Sequence, residues 1–186
     1  PRETETAIPA AAPRIELPDP DGVMHTFRAL ETRMLAPKLA AQYPDFRTYT
    51  LTEPGTGVYR GQLFVSRFGL HGLIFAESGA YTVEPLDRTN PVLHEAYRDE
   101  IDPVECLGEI AGSALKKPDI AEVMPPNGTL RRTYRIAIAI TGEYYQQHGN
   151  TDPLVTARIV ANVSDLTALY KRELSVEFTL LTPLLY

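Results

Sequence analysis

The 186-residue sequence contains no tryptophan, a single cysteine and no long apolar run. With only Cys106, a disulfide within the chain is excluded. Because a membrane-spanning helix needs about 20 consecutive apolar residues, no membrane partner is expected. Positive charge is also scarce, since 18 Lys and Arg stand against 24 Asp and Glu and leave a net charge of −6. Binding to nucleic acid draws on clustered basic residues, so no nucleic-acid partner is expected either.

Proline and glycine are plentiful, with 16 and 12 residues, and they indicate many turns and short strands. Residues 1–20 lack periodicity and predict an extended N-terminal arm. Residues 21–100 carry aromatic and β-branched runs separated by Gly, Pro, Asp or Asn, which predict a β-rich antiparallel domain. A short helix is predicted from Pro37 to Tyr43. The predicted strands cover residues 23–30, 46–51, 58–68, 70–76, 80–86 and 92–97.

The pattern changes after this domain. Residues 101–130 form a long polar stretch that predicts a linker, and residues 131–186 then predict a strand, a long helix and a second strand. The helix is indicated by an apolar stripe and by a start at Asp152 and Pro153. The predicted fold class is therefore α+β, an antiparallel β-rich domain followed by an incomplete α/β segment. Because this segment cannot bury both of its faces alone, we expect more of the chain or another chain to complete it. The helix stripe consists of Val155, Ile159, Val163, Leu166 and Tyr170.

Known catalytic patterns are missing from the sequence. No Gly-x-Ser-x-Gly or glycine-rich phosphate loop is present, and no two histidines are four residues apart, as a His-Glu-x-x-His zinc motif would require. The sequence therefore predicts no catalytic residue within the chain. The scattered histidines are His25, His71, His94 and His148.

Several segments together resemble a known family of precursors. In the second half these are residues 130–144, 148–151, 159–163 and 170–176, and upstream they are residues 20–24, 34–40, 43–49 and 68–72. In content and order the segments are similar to bacterial reprolysin-like zinc metallopeptidases, which are metzincins. The upstream segments resemble the propeptide, and residues 131–186 resemble the opening strand, helix and strand of the catalytic domain.

This resemblance implies a secreted or cell-surface endopeptidase that is made as an inactive zymogen. In the family, zinc is held by a His-Glu-x-x-His-x-x-Gly-x-x-His motif, which this sequence lacks. The resemblance thus implies that the full-length parent binds zinc, whereas this chain alone binds none and is inactive. The implied partners are the remainder of the catalytic domain and the protein substrates of the parent. The propeptide would keep the zymogen latent and assist its folding.

Three residues receive roles through the resemblance. Cys106, in the linker, is predicted to coordinate the catalytic zinc of the full-length precursor as a zymogen switch, because thiolate is a good zinc ligand. The alternative is a small apolar side chain without that role. Arg131 and Arg132 are predicted to form a processing site, and the alternative is that they pair with surface carboxylates. Two other functions stay open for the chain, a non-catalytic binding or assembly module and a degenerate relative of the peptidases.

Overall fold

The computed structural model describes residues 2–4, 12–87, 90–98 and 130–185, with backbone only for 2–4 and Leu130. Cys106 lies outside the described residues. Within them the chain forms twelve strands and three helices. The strands are β1 (Arg2–Thr4), β2 (Arg14–Pro18), β3 (Met24–Thr32), β4 (Arg47–Thr52), β5 (Tyr59–Ser66), β6 (Gly69–Ala76), β7 (Gly79–Asp87), β8 (Asn90–Tyr97), β9 (Leu130–Ile136), β10 (Ala139–Ile140), β11 (Val176–Leu180) and β12 (Leu184–Leu185), and the helices are α1 (Pro37–Gln42), α2 (Gly142–Gln147) and α3 (Asp152–Leu174).

Strands β2 to β8 form one antiparallel sheet in which each strand pairs with the next along the chain. Gly69 ends the turn from β5 to β6, and Gly79 ends the turn from β6 to β7. Their φ angles are 108° and 116°, values that glycine adopts most readily. This sheet confirms the predicted antiparallel β-rich region. Strand β2 lies inside the predicted N-terminal arm, and its Leu17 is 4% exposed, so part of that arm belongs to the core.

The two faces of this sheet differ in composition. Along β4 to β7, side chains alternate between the faces, because neighbouring residues of a strand point in opposite directions. One side, here called the apolar face, carries a buried cluster to which all strands from β2 to β7 contribute. The cluster comprises Leu17, Phe27, Ala29, Leu51, Leu63, Ile74, Tyr81 and Val83.

The opposite side is here called the polar face. The strand register places its residues side by side, with Thr50 opposite Gln62 and Phe64 opposite His71. Most of the polar side chains on this face are buried, and that of His71 is only 7% exposed. A sheet with one apolar and one polar face commonly exposes the polar one to water. Here another element must cover it. The polar side chains of this face are Thr48, Thr50, Gln62, His71, Thr82 and Glu84.

The cover is helix α3, which joins two parallel strands, β9 and β11. The sheet of these strands also includes β1, antiparallel to β9, while β10 and β12 form a separate parallel pair. The strand, helix and strand predicted for residues 131–186 are therefore confirmed. The helix begins at Asp152 with Thr151 as N-cap, one residue earlier than the sequence predicts. Helix α2 was not predicted.

Helix α3 is buried on two nearly opposite faces. The predicted stripe faces β11, where Tyr170 packs edge-on against Phe178 with ring centroids 5.3 Å apart. A second stripe, made of four small residues and one lysine at helical spacing, packs against the polar face of the large sheet. The large sheet thus covers the second face of the helix. Completion of the segment by more of the chain or by another chain stays a prediction, because Tyr134 of β9 is still 51% exposed. The second stripe consists of Ala157, Ala161, Ser164, Ala168 and Lys171, all buried.

The sheet and the later segment also share an apolar core. Leu39, Tyr43 and Phe64 belong to the same buried cluster as Val155 and Val160 of α3. None of the helices in the described part of the chain is long and apolar enough to cross a membrane. The predicted boundaries at 20, 100 and 130 stay predictions, but residues on both sides of the last one are packed into one core.

Candidate functional site: the contact between the large sheet and helix α3

The edge of β11 contacts the N-terminal region through its backbone. The Leu180 N–H donates to the Met34 carbonyl at 2.8 Å, and the Ala36 N–H donates to the Leu180 carbonyl at 2.9 Å. These bonds form a parallel bridge between Leu35 and Leu180. Strand β11 is therefore paired with β9 along its length and, at Leu180, also with residues 34–36 on its other side. At this residue the hydrogen-bonding groups of the strand edge are satisfied within the chain.

The first charged contact, here called the Lys171 cluster, consists of Lys171, Glu177, Arg131 and Thr50. The Lys171 ammonium lies 2.6 Å from Glu177 Oε1 and donates to Thr50 Oγ1 at 2.9 Å. Arg131 Nη1 lies 3.3 Å from the same Glu177 oxygen. A buried lysine is costly unless its charge is paired and hydrogen-bonded. Both conditions are met here only because α3, β11 and the polar face of the sheet come together.

Tyr59 closes this cluster from β5. Its ring centroid lies 5.2 Å from the Lys171 ammonium, in a cation–π arrangement, and its hydroxyl donates to the Ala168 carbonyl at 3.4 Å. Burial raises the pKa of Tyr59 above its usual range, so the phenol stays neutral and available as a donor.

The second charged contact, here called the His71 cluster, consists of His71, Glu84, Arg158 and Asp165. His71 Nε2 lies 2.8 and 2.9 Å from the two carboxylate oxygens of Asp165 on α3. His71 Nδ1 lies 3.3 Å from Glu84 Oε2 on β7, and Arg158 Nη1 lies 3.2 Å from that oxygen. From β8, the Tyr97 hydroxyl donates to Glu84 Oε1 at 2.7 Å. Three strands and the helix are thus joined at one buried imidazole.

The electrostatics of this cluster favour its charged form. Burial alone would lower the pKa of His71, but the hydrogen bonds to Asp165 and Glu84 outweigh it and raise the pKa to about 9. The hydrogen bond from His71 is also the largest influence on Glu84, whose pKa falls to about 2. At neutral pH the cluster is therefore an imidazolium between carboxylates. Nothing in the local sequence of His71, one of the four scattered histidines, indicates the two carboxylates.

The predicted processing residues occupy a paired strand. Arg131 makes the ion pair with Glu177 described above, and Arg132 is exposed while its N–H donates to the Ser175 carbonyl at 2.9 Å. Arg132 faces Arg2 of β1 on one side and Val176 of β11 on the other. A protease binds its substrate as an extended, unpaired strand. Cleavage at this point would therefore require β9 to leave its neighbours, and processing at Arg131 and Arg132 stays a prediction.

Zinc does not fit the residues that the structure describes. Among residues 12–87, 90–98 and 131–185, no group of three or more His, Cys, Asp and Glu is arranged to hold a metal ion. The one histidine between carboxylates, His71, has both ring nitrogens turned toward carboxylate oxygens. No catalytic step can be derived from these residues through a metal, and the role predicted for Cys106 stays a prediction.

The fold and this contact define a two-part chain, in which an antiparallel sheet covers the helix of a parallel β–α–β unit. The family described as "Metallo-peptidase family M12B Reprolysin-like" matches residues 130–183, which span β9 to β11. Residues 130–183 are therefore similar to that family, and the match supports the resemblance for that segment. The match covers less than a third of the chain. No curated protein and no solved structure matches the chain significantly.

Proposed function

We propose that residues 12–98 are the propeptide of a secreted, zinc-dependent, reprolysin-like endopeptidase, which assists the folding of the catalytic domain and keeps the precursor latent. One observation carries this proposal. Helix α3 of the peptidase segment is buried between its own strands and the polar face of the preceding sheet, with a shared apolar core. A helix whose second face needs an upstream sheet for burial folds best while that sheet is attached.

The folding role is tested in the precursor that includes the zinc motif. Leu39 is fully buried in the shared core, so Leu39→Asp would place an unpaired carboxylate between the sheet and α3. We expect the yield of correctly folded peptidase to drop at least tenfold. Val92→Asp is the matched control, because Val92 is 80% exposed on the sheet edge and should change the yield little. A normal yield from Leu39→Asp would contradict the folding role.

Latency is tested in the same precursor with a peptide substrate. The wild-type precursor should be inactive until it is cut, and N-terminal sequencing of the active form should place the cut at Arg131 and Arg132. If Cys106 coordinates the zinc, Cys106→Ser should raise the activity of the uncut precursor, because serine is a much weaker zinc ligand than thiolate. Unchanged latency would contradict the zinc-coordinating role of Cys106 and would leave the folding role unaffected.

Different results would favour the two alternative functions. A parent without a His-Glu-x-x-His motif would point to a degenerate relative. A fully folded and active peptidase with a disrupted sheet would leave residues 12–98 as a binding or assembly module.

A further inference from the structure

His71 lies at the boundary between the two parts of the chain and is buried. It belongs to the large sheet, while Asp165 and Arg158 belong to α3 of the peptidase fragment. The ion pairs of the His71 cluster therefore cross the same contact that the proposed function depends on.

The number of protons on the His71 ring decides how many of its contacts are hydrogen bonds. Nε2 faces the two oxygens of Asp165 and Nδ1 faces Glu84, so both ring nitrogens have an acceptor in front of them. A neutral imidazole carries one N–H, whereas the protonated ring carries two. Both contacts are hydrogen bonds only when His71 is charged. Loss of one proton leaves one nitrogen lone pair facing a partly buried carboxylate, which is repulsive.

We propose that the His71 cluster is a proton-dependent clasp, which holds the large sheet on helix α3 while His71 is protonated and loosens that hold when the proton leaves. The inference rests on the proposed function, since it describes the regulation of the same contact. The groups that face His71 come from each element packed around it. They are Glu84 on β7, Tyr97 on β8 through Glu84, and Asp165 and Arg158 on α3.

The direction of the pH dependence follows from the raised pKa of His71. A group whose pKa is higher in the assembled state stabilises that state fully below its free value of 6.5, and the contribution is lost as the pH rises through about 9. The clasp is thus closed at acidic and neutral pH and opens in alkaline solution. Because Glu84 stays beside His71 in the separated sheet, association changes the pKa of His71 only through helix α3, whose burial of the ring lowers it and whose Asp165 raises it. The clasp requires the effect of Asp165 to be the larger, and a net rise of about one pKa unit corresponds to about tenfold in affinity.

The test uses the folded chain with a protease site engineered between residues 99 and 129, so that the two parts are joined by contacts alone after cutting. The dissociation constant of the cut chain is measured by dilution at pH 6.5 and at pH 10. The clasp predicts about tenfold weaker association at pH 10. His71→Gln should be weaker at pH 6.5 and lose most of the pH dependence, and Asp165→Asn should behave alike. The control His25→Gln alters a histidine that pairs with Asp19 and should match the wild type.

A second measurement covers the case in which the variants fold poorly. In an NMR titration of the intact wild-type chain, the His71 ring should stay protonated beyond pH 8. Titration of that ring near 6.5, or equal affinity of the cut wild-type chain at both pH values, would overturn the clasp and leave the folding role standing. Separation of the two parts at every pH would overturn the clasp together with the shared contact.

Discussion

The two faces of the large sheet are built on different principles. The apolar face buries side chains such as Leu51 and Ile74 that come from one continuous stretch of chain. The polar face buries hydroxyl, amide and imidazole groups, and Thr50 and His71 among them find partners on α3, many residues later. The first face can form as soon as strands β2 to β8 pair. The second face is complete only when another part of the chain arrives, which is the character of an interface between domains.

The largest expected effect is on the apolar face. Leu51 is fully buried, so Leu51→Ala should lower the free energy of unfolding by about 2–5 kcal/mol through lost burial and a cavity. Hydrogen exchange should rise across β2 to β8 and across α3, because the helix has nothing to pack on once the sheet opens. The control Leu86→Ala, at a side chain that is 61% exposed, should change stability by less than about 0.5 kcal/mol. An effect confined to β4 would contradict this view of the sheet.

A smaller effect is expected at the Lys171 cluster. Lys171→Met keeps an apolar stem but removes the charge, so Glu177 is left with Arg131 alone. We expect a loss of roughly 2 kcal/mol, since hydrogen bonds to charged groups are worth more than neutral ones. Hydrogen exchange should rise in α3 and β11 while β5 to β7 stay protected, in contrast to Leu51→Ala. Lys38→Met, at an exposed lysine of α1, is the control, and equal exchange in both regions would count against a separable second face.

The smallest effect is expected from a single hydroxyl of the polar face. Thr50 accepts hydrogen bonds from Gln62 at 3.1 Å and from Lys171 at 2.9 Å. Thr50→Val has nearly the same shape and should cost about 1 kcal/mol in urea unfolding. Because Thr50 and Lys171 share a hydrogen bond, the double variant with Lys171→Met should lose less than the sum of the two. Strict additivity would show that the polar face and α3 do not act together.

Much of the fold could be predicted from the sequence because its signals are local. Turn residues such as Gly69 and Gly79 separate runs of β-branched and aromatic residues, and this pattern alone predicts strands β3 to β8. The long helix and its flanking strands were predictable for the same reason. Strand β2 was missed because the alternation of polar and apolar residues from Arg14 to Leu17 is only four residues long and lies between two prolines.

The contact itself could not be predicted from residues alone. Threonines that alternate with apolar residues, as Thr48 and Thr50 do in β4, are typical of a strand with one face in water. The signal that was available is the second stripe of α3, where Ala157, Ala161 and Ala168 indicate close approach of another element. Even that stripe does not identify its partner. His71 and Asp165 are 94 residues apart, and only tertiary folding brings them together.

The bridge between Leu35 and Leu180 has a consequence in time as well as in space. A ribosome that adds about 5–20 residues per second needs on the order of ten seconds to travel from one of these residues to the other. During that interval the strands of the large sheet can pair in the order of their synthesis. The backbone groups of residues 34–36 and the polar face are thus synthesised before their partners, helix α3 and strand β11. The first half of the chain is therefore synthesised before the helix and strand that it contacts.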